Sequence, residues 1–492
     1  MSFLNNLKEA QNYTLTQNGA LAKKTTGSKL YDLFALGAAY RSRNDADKIL
    51  LFKEAFEENE EYAMKCLFYI RDVRGGQGER AFFRTCYKWL LKEHYNAALR
   101  NLDKISEYGR WDDLIDICQS NEKAWKVMIR LIQEQIKEDL ESIKAGPKTP
   151  VSLLAKWMPS ENTSSAKTRK LAKRLFTDLG MQPREYRKML SMFRDRINIV
   201  ERLMSANKWD EIQFDKLPSQ AGMKYRKCYA RRDETKERYA EFMSSRNTKV
   251  NASTMVPAEV VKAARNYADS YASQAERDAI NKYWDNLTDY FKGKTLDALA
   301  VVDTSGSMTW GAASVAPIDV AISLGMYCAE KAPGPFANHY ITFSREARLV
   351  EIRGVDFVDK VHRIVRANLC ENTNIANVFR LILKTAVDDN VPQEELPKNI
   401  IIISDMQFDM YRSNTQLQME SFRRDFAQHG YKLPHIIYWN VNAMNDTISD
   451  NNEDSTFVSG YSPVLFEQIL SGKTGYDLMM DKLNSERYSS IH

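Results

Sequence analysis

From Ser28 onward, apolar residues recur at helical spacing. Leu30, Leu33, Phe34 and Leu36 form one stripe and Ile49, Leu50, Phe52, Ala55 and Phe56 the next, with the three- and four-residue steps of amphipathic helices. Similar segments follow at 62–70, 81–91, 111–118 and 124–143. They are separated by short breaks that carry glycine, such as Arg74-Gly75-Gly76-Gln77-Gly78 and Tyr108-Gly109-Arg110. Helices joined by short turns predict stacked helical pairs, an α-solenoid of HEAT-like character. Pro147 and Pro150 mark a break and 159–165 a loop, after which amphipathic segments continue to about residue 292.

After Leu296 the period changes. The run 299–302 is apolar and ends at Asp303, and a Ser/Gly loop then leads to a helix from about Pro317. Segments 340–343, 348–351, 399–404 and 436–439 read as strands, with a helix over 375–387. Strands alternating with helices predict a largely parallel, doubly wound, Rossmann-like sheet. The expected fold class is therefore multidomain, all-α followed by α/β. It has an N-terminal arm at 1–27, a helical-repeat domain at 28–295 and an α/β domain at 296–492. Ligands of such sheets bind beyond the carboxyl ends of the strands, where Asp303 and Asp405 fall.

Composition narrows the class. A chain of 492 residues with 43% hydrophobic and 27% charged residues is expected to be a soluble protein of two or three domains. No apolar run of about 18 residues suggests a membrane helix, and the start lacks the pattern of a secretory signal. The 6 cysteines are scattered without a CxxC pair, so free thiols and a cytoplasmic location are expected. The 6 histidines are too dispersed for a zinc site. The net charge of +5 conceals an asymmetry: residues 141–250 carry about +12 and residues 296–492 about −8.

The sharpest chemical signal is Asp303-Thr304-Ser305-Gly306-Ser307. One carboxylate and two hydroxyls at alternate positions below a strand end can converge on a hard cation, which prefers oxygen ligands. This DxSxS string resembles the metal-ion-dependent adhesion site of von Willebrand factor A (vWA) domains. Asn372-Thr373-Asn374 resembles their threonine loop, although Glu371-Asn372 stands where a glycine is usual. Ile402-Ile403-Ser404-Asp405 resembles their second-aspartate strand. The resemblance implies Asp303, Ser305, Ser307, Thr373 and Asp405 as ligands of Mg²⁺, or of Mn²⁺ or Ca²⁺, with an open position for an acidic group. A phosphoaspartyl hydrolase would need a second acid where Ser305 stands, and Ser305 lies in no GxSxG elbow with a histidine base. No enzyme activity is expected. The Arg74–Gly78 string lacks the GK[ST] of a phosphate-binding loop and reads as a turn.

The whole arrangement resembles the Ro (TROVE) family of RNA-binding ring proteins. The strings Asp72-Val73-Arg74-Gly75-Gly76-Gln77-Gly78-Glu79-Arg80 and Tyr108-Gly109-Arg110-Trp111-Asp112 add to the likeness. A Ro-related vWA family of plants, protists, bacteria and viruses is similar at Ala155-Lys156-Trp157-Met158-Pro159, Met204-Ser205-Ala206-Asn207-Lys208-Trp209 and Ser404-Asp405-Met406-Gln407-Phe408-Asp409. The likeness implies a ring closed by the vWA domain that binds small structured or misfolded RNA. The basic middle of the chain suits a polyanion, with cations for phosphates and interleaved aromatics for bases. The candidate contacts are Lys167, Arg169, Lys170, Arg174, Arg184, Arg187, Lys188, Arg194, Lys224, Arg226, Lys227, Arg231 and Arg232. The expectation is a monomeric, non-catalytic RNA-binding scaffold with a divalent-metal site. The alternative is a metal-dependent protein–protein adaptor with no RNA role, its partner presenting a carboxylate to the ion.

Overall fold

A computed structural model describes residues 11–268, 272–309, 315–331, 334–342, 347–367, 374–409, 418–444, 446–448, 455–473 and 475–492. Helices occupy the N-terminal three-fifths. Those at Lys29–Leu36, Asp45–Glu58, Glu60–Arg71, Arg80–Glu93, Trp111–Cys118 and Glu122–Lys144 follow the predicted stripes closely. Side-chain caps fix several starts: Ser28, Asn44, Asn59 and Asn121 each accept a backbone N–H two or three residues on. The array continues through Ala166–Asp178, Pro183–Arg196, Ser219–Arg231, Lys236–Ser244, Pro257–Arg265 and Gln274–Asp285. No helix among the described residues is long and apolar enough to cross a membrane.

Eight strands are named in chain order. Tyr13–Leu15 (β1) and Leu21–Lys23 (β2) form an antiparallel hairpin. The six-stranded sheet is built from Ala298–Val302 (β3), His339–Thr342 (β4), Arg348–Glu351 (β5), Asn399–Ser404 (β6), His435–Asn440 (β7) and Thr456–Ser459 (β8). Its order is β5-β4-β3-β6-β7-β8, parallel except for the edge strand β5. The crossovers include the helices Pro317–Lys331, Ile375–Asp388 and Gln418–Gln428. This is the expected doubly wound domain. The hairpin and β8 were not anticipated: the first lies in a polar stretch, and the second is a short apolar run after an acidic, Asn-rich segment.

The pleat of the sheet divides the molecule. Leu299, Val301, Ile400, Ile402, Ile436 and Tyr438 face one apolar core, which extends through the helices from Leu30 to Phe193. Their neighbours Ala300, Val302, Ile401, Ile403, Ile437 and Trp439 face a second core, which extends through the helices from Val200 to Phe291. Side chains alternate sides along a strand, so wholly apolar strands are what a sheet covered on both faces requires. Helix Lys29–Leu36 packs on β8, while Pro257–Arg265 and Gln274–Asp285 pack on the α/β domain's helices Pro317–Lys331 and Phe357–Ala367. Both ends of the helical array are thus anchored on the same α/β domain.

The predicted glycine turn after Arg71 is a structural knot. Asp72, fully buried, accepts from the Arg487 guanidinium at 2.9 and 3.0 Å and from the Tyr488 hydroxyl at 3.2 Å. A Cβ on Gly76 would stand 2.0 Å from the Tyr69 carbonyl oxygen, so only glycine passes there.

Candidate metal centre and basic surface

β3 and β6 are parallel neighbours with Val302 opposite Ile403, which carries Asp303 and Asp405 to the same carboxyl edge. The Asp303 N–H donates to the Ile403 carbonyl at 3.0 Å. Its Oδ1 accepts the Ser305 N–H at 2.9 Å and its Oδ2 the Ser404 hydroxyl at 2.5 Å. The Ser305 and Ser307 hydroxyl oxygens lie 3.1 Å apart, at the start of the short turn Gly306–Thr309. Asp405 accepts the Gln407 N–H on Oδ1 at 3.2 Å. Its Oδ2 is buried and makes no direct hydrogen bond among the described residues, although the nearby Ser307 hydroxyl favours its charged form.

Both carboxylates are fully buried. Burial raises the Asp303 carboxyl above its usual range, and burial together with the Asp303 charge pushes Asp405 up to about 7. Two anions held together in the interior disfavour each other's ionisation. The orphaned Asp405 oxygen, the Asp303 carboxylate and the two serine hydroxyls form an all-oxygen donor set suited to a hard divalent cation. The predicted ligands Asp303, Ser305, Ser307 and Asp405 are therefore brought together; Thr373 lies outside the described residues. No cluster of three or more His, Cys, Asp or Glu exists among the described residues, so the hydroxyls are essential to this set. Sequence reasoning missed Ser404, although it closes a strand at the end of an unbroken isoleucine run, where a buried hydroxyl calls for a fixed hydrogen bond.

The basic residues separate into three groups. Arg174 stacks on Trp125 at 3.9 Å and pairs with Glu122 at 2.6 Å. Arg194 donates to the Ala155 and Met158 carbonyls, each at 2.8 Å, and to the Ser160 hydroxyl at 2.7 Å. Arg226 turns inward to the Met223 carbonyl at 2.8 Å, and Arg232 lies over Trp209 at 4.1 Å. Arg169, Arg187, Lys224 and Arg231 are exposed but engaged, with the Thr163 carbonyl, Glu161, the Tyr225 hydroxyl and Glu276 respectively. Lys167, Lys170, Arg184, Lys188 and Lys227 are exposed and make no ion pair or hydrogen bond with other described residues. The first four sit on the consecutive helices Ala166–Asp178 and Pro183–Arg196.

Residues 16–126 and 120–295 match the family described as Domain of unknown function (DUF2828). Residues 297–489 match that described as Domain of unknown function (DUF7788). The chain is 30% identical to the uncharacterized protein L728 of Acanthamoeba polyphaga mimivirus, over 94% of this chain and 85% of the viral one. Among solved structures, the Ro (RSR) protein of Deinococcus radiodurans aligns over 93% of this chain and 99% of its own, at 13% identity and a TM-score of only 0.38.

Proposed function

The chain belongs to the family of Domain of unknown function (DUF2828), and within it we propose that this protein is a non-catalytic, cytoplasmic RNA-binding scaffold of the Ro-related kind, carrying a vWA-type metal site. The observation that carries the RNA reading is the quartet Lys167, Lys170, Arg184 and Lys188. These cations are exposed on two consecutive helices, and unlike Arg174, Arg187 and Arg194 they pair with no other described residue. They lie in the stretch of about +12, where a phosphate backbone would release counterions on binding. Tyr186, between Arg184 and Lys188 in sequence, is buried in the core and donates to the Pro159 carbonyl at 2.7 Å, so its ring is not available to stack on a base.

Asp303, Ser305, Ser307 and Asp405 hold the metal, Mg²⁺ by preference. When bound, the ion supplies a positive charge with an open position for a carboxylate or phosphate of a partner. The protein's part is to fix the donor oxygens: Ser404 orients Asp303, and the Ser305 N–H keeps one of its oxygens turned into the loop.

The test of the RNA reading is the quadruple variant Lys167→Ala/Lys170→Ala/Arg184→Ala/Lys188→Ala in fluorescence anisotropy with a small structured RNA across a KCl series. Binding should weaken, and the slope of log affinity against log salt should flatten by about 3, at roughly 0.7 per lost phosphate contact. Unchanged affinity and slope would overturn it and leave the adaptor reading.

A further inference from the structure

The hairpin β1–β2 lies against the segment that follows the candidate ligand Asp405. The Thr16 hydroxyl donates to the Phe408 carbonyl at 2.8 Å, the Gln17 N–H to Gln407 Oε1 at 2.8 Å and Asn18 Nδ2 to the Gln407 carbonyl at 2.7 Å. Gly19 bridges Asp409. Lys23 exchanges both backbone hydrogen bonds with Ile448, each 2.8 Å, so the hairpin also grips the segment after β7. Thr16, Ala20, Ala22 and Lys23 are buried by this docking.

Gln407 joins the hairpin to the site. Its side chain is 1% exposed, accepts from Gln17 and donates through Nε2 to the Asp405 carbonyl at 3.2 Å, while its N–H meets Asp405 Oδ1 at 3.2 Å. The residue between them, Met406, is held at φ 63°, a left-handed conformation disfavoured for any residue with a side chain. Its N–H is taken by the Ser404 hydroxyl at 3.0 Å, the same hydroxyl that orients Asp303. The turn 404–407 is therefore a strained backbone kept in place by bonds at both ends, and the hairpin supplies the outer one.

We propose that Gln407 is a positioning residue for the metal centre and that the docked hairpin β1–β2 sets the centre's cation affinity. The inference rests on the metal reading given above. Docking fixes the Gln407 side-chain amide, which holds the Asp405 main-chain carbonyl and so the turn whose Gln407 backbone N–H meets the Asp405 carboxylate; lifting the hairpin frees the turn and loosens one ligand. Coupling of this kind is reciprocal, so bound cation also tightens the hairpin. A partner that peeled the hairpin away would release the ion, giving the N-terminal segment a regulatory role.

The turn chemistry offers a variant that leaves the site itself untouched. Gly19 donates to the Thr16 carbonyl at 3.0 Å and has φ 86°, the pattern of a three-residue hairpin loop with Gln17 at the first corner. Proline suits that corner, so Gln17→Pro deletes the N–H that reaches Gln407, and Asn18→Ala removes the second contact. The full chain, the Gln17→Pro/Asn18→Ala variant and Asp303→Ala are titrated with Mn²⁺ by calorimetry. Hydrogen exchange of residues 13–23 is followed with and without Mn²⁺, and circular dichroism checks that each variant folds. We expect Mn²⁺ to bind the parent chain and not Asp303→Ala. The double variant should bind about tenfold more weakly, and Mn²⁺ should slow exchange of the parent hairpin. Equal affinity in parent and double variant, with hairpin exchange indifferent to Mn²⁺, overturns the coupling and leaves the metal reading standing. A parent chain that binds Mn²⁺ no better than Asp303→Ala overturns both.

Discussion

Asp405 brings into the interior a carboxylate oxygen without a direct hydrogen bond among the described residues, beside a second buried carboxylate. A protein selected only for stability would replace it, because an unsatisfied buried charge is costly. Asp405→Asn keeps the shape and removes the repulsion. It is expected to stabilise the metal-free protein by about 1–2 kcal/mol while abolishing stabilisation by Mn²⁺, and calorimetric melting with and without the ion checks both. A loss of metal-free stability would mean that the acid serves the fold. At this scale the sequence exposed the two acids and two serines through their spacing beneath strand ends. It could not distinguish Arg194 and Arg226, which serve backbone carbonyls, from Lys170 and Lys188, which face solvent. A basic count carries no orientation, and an arginine satisfies several carbonyls as readily as a phosphate.

Single elements read well where one face is buried. The segments 111–118 and 399–404 match their observed elements, because an amphipathic or fully apolar period leaves one solution. The hairpin β1–β2 was illegible because its strands have three residues each and are held mainly by backbone and polar bonds to a partner nearly four hundred residues away. The link between the 486–488 turn and the Arg71–Arg80 connection was equally hidden. Burial alone would raise the Asp72 carboxyl, but the Arg487 guanidinium and the Arg74 N–H hold it below the usual range. A depressed carboxyl contributes its stability above its unfolded value, near 4, and loses it as the pH falls through the folded value. Arg487→Ala is expected to cost about 3 kcal/mol at neutral pH. In urea titrations from pH 7 to pH 3, the gap to the parent chain should narrow at the acid end. A gap that widened on acidification would contradict the pairing.

The molecule as a whole is organised by a sheet that serves two cores. Separating residues 296–492 would strip Ile400 and Ile402 from one set of helices and Ile401 and Ile403 from another, all of them fully buried. Neither the array nor the α/β domain is then expected to melt alone. Urea unfolding followed by tryptophan fluorescence and by circular dichroism should give one coincident transition; two resolved transitions would show that the cores are independent. The array's helices and the doubly wound sheet were each legible from periodicity, but their union was not, since an apolar strand does not record which helices cover it.

That shared sheet also bears on how the chain is made. Tyr31 and Phe34 lie in the same core as Phe457 and Ile491, so although neighbouring helices cover part of them, the sides they present to β8 and to the residues beyond it stay open until that stretch is made. At about 5–20 residues per second, a gap of some four hundred residues leaves their apolar faces waiting on the order of 20–80 s. A nascent chain with that history depends on being shielded during synthesis, and its yield in a cell should track the supply of chaperones that bind exposed helices.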